Sequence, residues 1–252
     1  MNVANNNKLM NIIDMHVEKY APVTEAGSST GEKNYYSLSH IGCDETGSGD
    51  FFGPLCVVAC YIDERDYDWL MSLNIRDPKL MTPQEVIDIA REIKDRLVYS
   101  LLILDNSHYN QMAVAGNNLA NIKAKLYNQA VTNVMQKVAI KVDKKVVNQF
   151  VSPKTYYNYL KNEVIVVKDL SFEQKGEEQY LAIMCSSILS KYAFYQYFNN
   201  MSRSLKMKLP RGNTSSVVDH VAVTIAQKYG KKMLLKVTKT NMTNYKRIKD
   251  VI

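Results

Sequence analysis

Regular alternation of apolar and polar positions begins at Ser39. The stretch HIGCDETGSGDFFGPLCVVACYI reads as two apolar strands joined by a glycine turn, a hairpin signature. TPQEVIDIAREIKDRL follows as a helix. Thr82 is its N-cap, Pro83 suits the first helical position and Glu85 completes a capping box. Ile87, Ala90, Ile93, Lys94 and Leu97 trace its largely apolar stripe. VYSLLIL reads as a strand, and Asn118–Lys137 as a long helix with Leu119, Ile122, Leu126, Ala130, Val134 and Val138 near helical spacing. VDKKVVNQF predicts a short strand, TYYNYLKNE a short helix and VIVVKD another strand. Glu177–Asn200 predicts a helix rich in Ala, Ile, Leu and aromatics, and Ser215–Tyr229 a further one capped by Thr214 or Ser215. This alternation from residue 40 onward gives an α/β class, a mixed sheet flanked by helices with a helical C-terminal part.

Residues 1–38 read as a short accessory segment ahead of one domain over 39–252. It holds an amphipathic helix around Lys8–Tyr20 and a flexible linker, Ala26–Lys33. No apolar run approaches the ~20 residues that span a bilayer, and the N-terminus lacks the basic-then-apolar pattern of a secretory signal. The expected address is cytoplasmic, and the expected state a monomer. Cys43, Cys56, Cys60 and Cys185 have no His or Cys partners at zinc spacing, so buried free thiols are expected. Net charge is +7, which suits an anionic partner, nucleic acid above all. The stretch KYGKKMLLKVTKTNMTNYKRIK carries many cations and no acid, and is either a phosphate-facing surface or a solvated face.

The candidate chemistry sits in Ile41–Pro54, IGCDETGSGDFFGP. Asp44 and Glu45 are neighbouring acids where an apolar strand meets a glycine turn. Unpaired carboxylates there repel each other and lose hydration, so they call for a cation. Hard divalent ions with oxygen ligands, Mg2+ or Mn2+, answer that need. Gly47 and Gly49 leave the backbone open for close approach to ribose or phosphate. The bland alternative is an acidic hairpin turn whose glycines serve only backbone geometry.

The segment Asp-Glu-x-Gly-x-Gly-Asp-x-x-Gly-Pro resembles the opening motif of type 2 ribonucleases H, ribonuclease HIII in particular. Further segments resemble that family in the same order: IRDPKL at Ile75–Leu80, Tyr109–Val131, KVVNQF at Lys145–Phe150, Phe172–Phe194 and LPRGNTSSVVDH at Leu209–His220. The resemblance implies a ribonuclease H-like fold and metal-dependent cutting of the RNA strand of RNA–DNA hybrids. It places the four metal-binding, catalytic positions on Asp44, Glu45, Asn148 and Glu177. It also implies substrate contacts from Gly47, Ser48, Gly49, Lys79, Asn118, Asn121 and Ser187. At position 148 the family carries Asp, so this site is one carboxylate short. Either a substitution that traps substrate without turnover or a natural variant of reduced activity accounts for Asn148. A non-catalytic hybrid- or RNA-binding module and a ribonuclease HII-like enzyme cutting at single ribonucleotides are the other readings of the same motifs.

Overall fold

The computed structural model describes residues 35–139 and 142–252; the expected helix at Lys8–Tyr20 and the linker after it lie outside them. The expected hairpin forms. Strands β1 (His40–Thr46) and β2 (Leu55–Ile62) pair antiparallel, with Asp44 opposite Val58 and Glu45 opposite Val57. Helix α1 (Tyr67–Ser72) precedes α2 (Pro83–Lys94), which starts with the Thr82–Glu85 capping box. The buried face of α2 runs through Val86, Ala90 and Ile93; Ile87, expected on the stripe, stands one position off it and is only half-buried. Strand β3 (Val98–Leu104) leads to α3 (Asn106–Val114), a helix whose weak apolar pattern hid it, and then to α4 (Leu119–Lys137), capped by Asn118.

Strand β4 (Lys144–Asn148) and helix α5 (Pro153–Tyr159) also form where expected. VIVVKD does not form a strand. The Asn128 amide of α4 donates to Ile165 O at 2.7 Å and accepts from Val167 N–H at 3.0 Å, taking the backbone groups that a ladder would use. Strand β5 is the following segment, Leu170–Glu173. Glu177 likewise lies outside the long helix. Left-handed Lys175 (φ 54°) starts a single 3-10 turn, Gly176–Glu178, and α6 runs from Leu181 to Ser204. Helices α7 (Ser216–Tyr229, capped by Ser215), α8 (Lys231–Val237) and α9 (Thr243–Ile248) complete the chain.

The sheet order is β3-β2-β1-β4-β5, with β1 parallel to β4 and β4 parallel to β5. One face carries Cys56, Val58, Cys60 and Ile62 and packs on α2, α6 and α7. The other carries Ile41, Cys43, Val57 and Ala59 and packs on α4 and α5. All four cysteines are free and buried in these layers, as expected. Among the described residues no helix is long and apolar enough to cross a membrane.

His40, at the start of β1, supplies the cap that α6 lacks. Its Nε2 accepts from Ala182 N–H at 3.1 Å, while Nδ1 donates to Leu38 O at 2.7 Å. That pattern requires a neutral ring, and burial pulls its pKa down to about 4. The unfolded chain, with His near 6.5, therefore binds more protons between those values. Stability from His40 is complete above pH ~6.5 and falls by about 3 kcal/mol as pH drops toward 4. Asp44, whose carboxyl is raised, acts oppositely in that window, so the readout is a difference. Urea unfolding of wild type and His40→Gln at pH 7 and 4.5 should show the wild-type advantage shrinking in acid. An equal gap at both pH values rules the role out.

Candidate active site

Adjacent residues on a strand point to opposite faces, and this separates the two acids. Asp44 shares its face with Gly42, toward α6, where the Ser187 hydroxyl hydrogen-bonds it. Glu45 shares its face with Cys43, toward α4. There it meets Lys123 Nζ at 2.5 Å and accepts a hydrogen bond from Tyr127, whose hydroxyl also stands 3.4 Å from Asp44. Burial first, and Glu45 second, push the Asp44 carboxyl up to about 7 against the Ser187 hydrogen bond. Lys123 is buried and lies over the Phe150 ring, 4.0 Å from its centroid.

Parallel pairing of Cys43 with Val147 brings the ends of β1 and β4 side by side, so Asn148 stands beside Asp44. Strand β5 ends opposite Asn148, and the left-handed residue after it turns Glu177 back over the same edge. Asn148 Oδ1 accepts from Gly176 N–H at 3.0 Å, and its Nδ2 donates to Glu177 at 2.9 Å. The Gly176 donor fixes the amide orientation: oxygen toward the backbone, NH2 toward the acid. Lys79 Nζ, on the 3-10 turn Pro78–Leu80, reaches Glu177 at 3.1 Å. Burial raises the Glu177 carboxyl, but hydrogen bonds from backbone, Asn148 and Lys79 outweigh it and hold it below the usual range. Lys191 of α6 donates to Pro78 O and so secures the turn carrying Lys79.

Together these groups line a cleft of about 530 Å3, with Asp44, Glu45, Glu177, Asn148, Lys79 and Ser187 on its walls. Gly47 and Ser48 line it too. Gly49, Asn118 and Asn121 do not. Asn118 Oδ1 caps α4 by accepting from Asn121 N–H at 2.8 Å. Lys123 lies outside the substrate contacts that the resemblance implies, and its ammonium is taken up by Glu45. Tyr127, one turn further along α4, was missed because an aromatic in an apolar stripe reads as packing. Asp105, His108 and Asp219 stay out of the chemistry. Asp105 caps α3 and pairs with His108, and Asp219 pairs with Arg247. The tyrosines near Tyr156 form a packing edge, with Tyr156 fully buried against Phe150, Tyr157 and Phe172.

Mg2+ and Mn2+ need several oxygen donors at one point. Asp44, Glu45 and Glu177 supply hard oxygens, but Asn148 turns N–H groups toward Glu177. Among the described residues no three His, Cys, Asp or Glu side chains converge as a metal cluster. The donor set as it stands does not complete a two-ion site. Two lysine ammoniums serve the carboxylates instead.

The family model described as ribonuclease HII matches residues 41–245. Ribonuclease HIII of Bacillus cereus (strain AH187) is 37% identical over 234 residues, covering 92% of this chain and 71% of that protein. Ribonuclease HIII of Bacillus anthracis (strain CDC 684 / NRRL 3495) is 36% identical with the same coverage. Among solved structures, Bst-RNase HIII in complex with Mn2+ superposes with a TM-score of 0.82 at 28% identity, over 85% of this chain and 70% of that one. Ribonuclease H2 of Pyrococcus horikoshii OT3 shares the fold with a TM-score of 0.71 at 18% identity, over 85% and 98%. A motif order read from residue 41 onward, a sheet that brings Asp44, Glu45, Asn148 and Glu177 together at the ends of β1 and β4, and relatives of this identity lead to one conclusion: this chain belongs to the ribonuclease HII family, among proteins of the ribonuclease HIII kind.

Proposed function

We propose that the cleft is the hybrid-binding and cutting site of an RNA–DNA hybrid endoribonuclease, and that Asn148 leaves it binding well and cutting slowly. Endoribonuclease action on hybrids belongs to the family; the slow turnover is particular to this chain. The observation that carries it is the Asn148 amide donating to Glu177, a contact that replaces a metal ligand with a hydrogen-bond donor. Asp44, Glu45 and Glu177 would be the oxygen donors for a divalent ion, Mg2+ or Mn2+, which would supply Lewis-acid activation of water; with Asn148 in the fourth position they do not complete a site for a pair. Here the residues themselves bind and orient the duplex. Lys79, with its side chain 74% exposed, is free to exchange Glu177 for a phosphate. Gly47 and Ser48 present backbone groups and a hydroxyl to the 2′-OH side of the minor groove, and Gly49, exposed just outside the cleft, continues that surface. Asn118 and Asn121, at the start of α4, flank the cleft rather than line it, and their part is to contact backbone further along the hybrid. The protein works as a cytoplasmic monomer.

Part of the late basic stretch belongs to this interface. Lys231, Lys232 and Lys236 on α8 are exposed, whereas Lys239 is buried and cannot meet a phosphate. Titrating a labelled hybrid and a DNA duplex of the same sequence across salt tests the reading. Hybrid should bind tighter, and changing the three exposed lysines to Gln should flatten the logarithmic salt slope by up to about 3. Equal affinity for both duplexes sinks the hybrid reading; an unchanged slope removes α8 from the interface.

A further inference from the structure

The turn between β1 and β2 is held from beneath by a lysine. Lys239 is 0% exposed, and its Nζ donates to Asp50 O at 2.8 Å and Gly53 O at 2.5 Å, with Pro54 O at 3.5 Å. Its backbone N–H donates to Phe51 O at 3.0 Å, and Gly53 N–H to Val237 O at 3.2 Å. The Asp50 carboxylate is occupied elsewhere, by Arg211 at 2.7 and 3.1 Å and by Gly212 N–H at 2.8 Å. Burying an ammonium among carbonyls costs more than burying a neutral side chain of that size. Burial accordingly pulls the Lys239 pKa down to about 7. A purely packing position has no need of that charge.

The anchored carbonyls lead directly to the glycine that opens the turn. Gly47 has φ +99°, and a Cβ placed on it would stand 2.2 Å from Pro54 O and 2.7 Å from the Phe194 ring. Gly47 therefore rests on one of the carbonyls beneath which Lys239 lies. Arg211 covers the Phe194 ring at 4.3 Å from its centroid, and Asp50 N–H closes the turn on Gly47 O at 3.3 Å. Two cations lying outside the cleft, Lys239 and Arg211, thus back the groups on which Gly47 rests.

We propose that Lys239 is a positioning residue for hybrid recognition: by anchoring the Asp50, Gly53 and Pro54 carbonyls, it fixes how Gly47, Ser48 and Gly49 face the ribose. The inference rests on the hybrid-binding reading of the cleft. Lys239 touches no phosphate, so its role lies in the preference for hybrid over DNA and not in the salt dependence of binding. Lys239→Met keeps most of the apolar stem and removes the ammonium. At a temperature where the variant is folded by circular dichroism, its preference for hybrid over the matched DNA duplex should fall at least tenfold, with the salt slope unchanged. If Lys239→Met does not fold, Lys239→Gln, a shorter neutral donor, carries the test, with a several-fold fall expected. A folded variant that keeps the wild-type preference overturns the inference. A wild type with no preference overturns the hybrid reading itself, and this inference with it.

Discussion

Asn148→Asp should raise metal-dependent cutting of an RNA–DNA hybrid by at least about 100-fold over the chain as it stands, if residue 148 has the metal-binding role proposed for it. One oxygen of the new carboxylate would keep the Gly176 N–H contact now made at 3.0 Å. The other would face Glu177 across the 2.9 Å now bridged by an amide N–H. Two carboxylates in that position repel, at a cost of roughly 2–4 kcal/mol for charges about 4 Å apart near a protein surface. The same substitution should therefore lower the melting temperature in chelator and restore it with Mg2+ or Mn2+, because an ion bound only by the folded state stabilises it. The paired readout separates causes. Cutting without metal-linked stabilisation would place the gain elsewhere. A folded Asn148→Asp protein that neither cuts nor responds to either ion refutes the assignment of residue 148.

Two acids at a strand end before a glycine turn are unusual enough to be seen in a single sequence, and β1 presents Asp44 and Glu45 there. Their partners were harder to read. Glu177 reads as the start of the long helix because the apolar stripe begins only four residues later. The left-handed backbone at Lys175, which turns it back over β4, leaves no mark in a run of polar residues. VIVVKD carries a strand's composition, yet one side chain from a distant helix, Asn128, satisfies the backbone there. Lys239 was hidden by its neighbours. In a stretch rich in lysines all of them look solvated, and only the fold shows one turned inward onto three carbonyls. Local pattern thus set the elements and half the site. The rest depends on contacts between residues far apart in the chain.

Gly42→Ala should be among the most damaging single-methyl changes in this protein, for a reason that the site shares. Strand β1 and the start of α6 meet backbone to backbone at Gly42. An added Cβ would fall 2.3 Å from Ile183 N, 2.4 Å from Ala182 C and 2.8 Å from Ala182 Cβ. Two of those three atoms are main chain, so no side-chain rotation relieves the clash and α6 must move off the sheet. That movement also strains Ser186 Oγ on Gly42 O, at 3.0 Å, and the His40 cap on Ala182 N–H, at 3.1 Å. A loss of about 4 kcal/mol is expected, or roughly 8–16 °C in melting temperature for a chain of this size. Helix α6 also carries Ser187 to Asp44, so hybrid binding should weaken even below the melting transition. Gly49→Ala is the internal control. A Cβ there meets nothing within 4 Å, and its effect should stay within about 0.5 kcal/mol. If thermal melts of the two variants coincide, the close approach of β1 and α6 is not what holds this edge of the sheet. If they separate as expected, the glycine inside the strand sets the distance at which the helix can bring its serine to the acid.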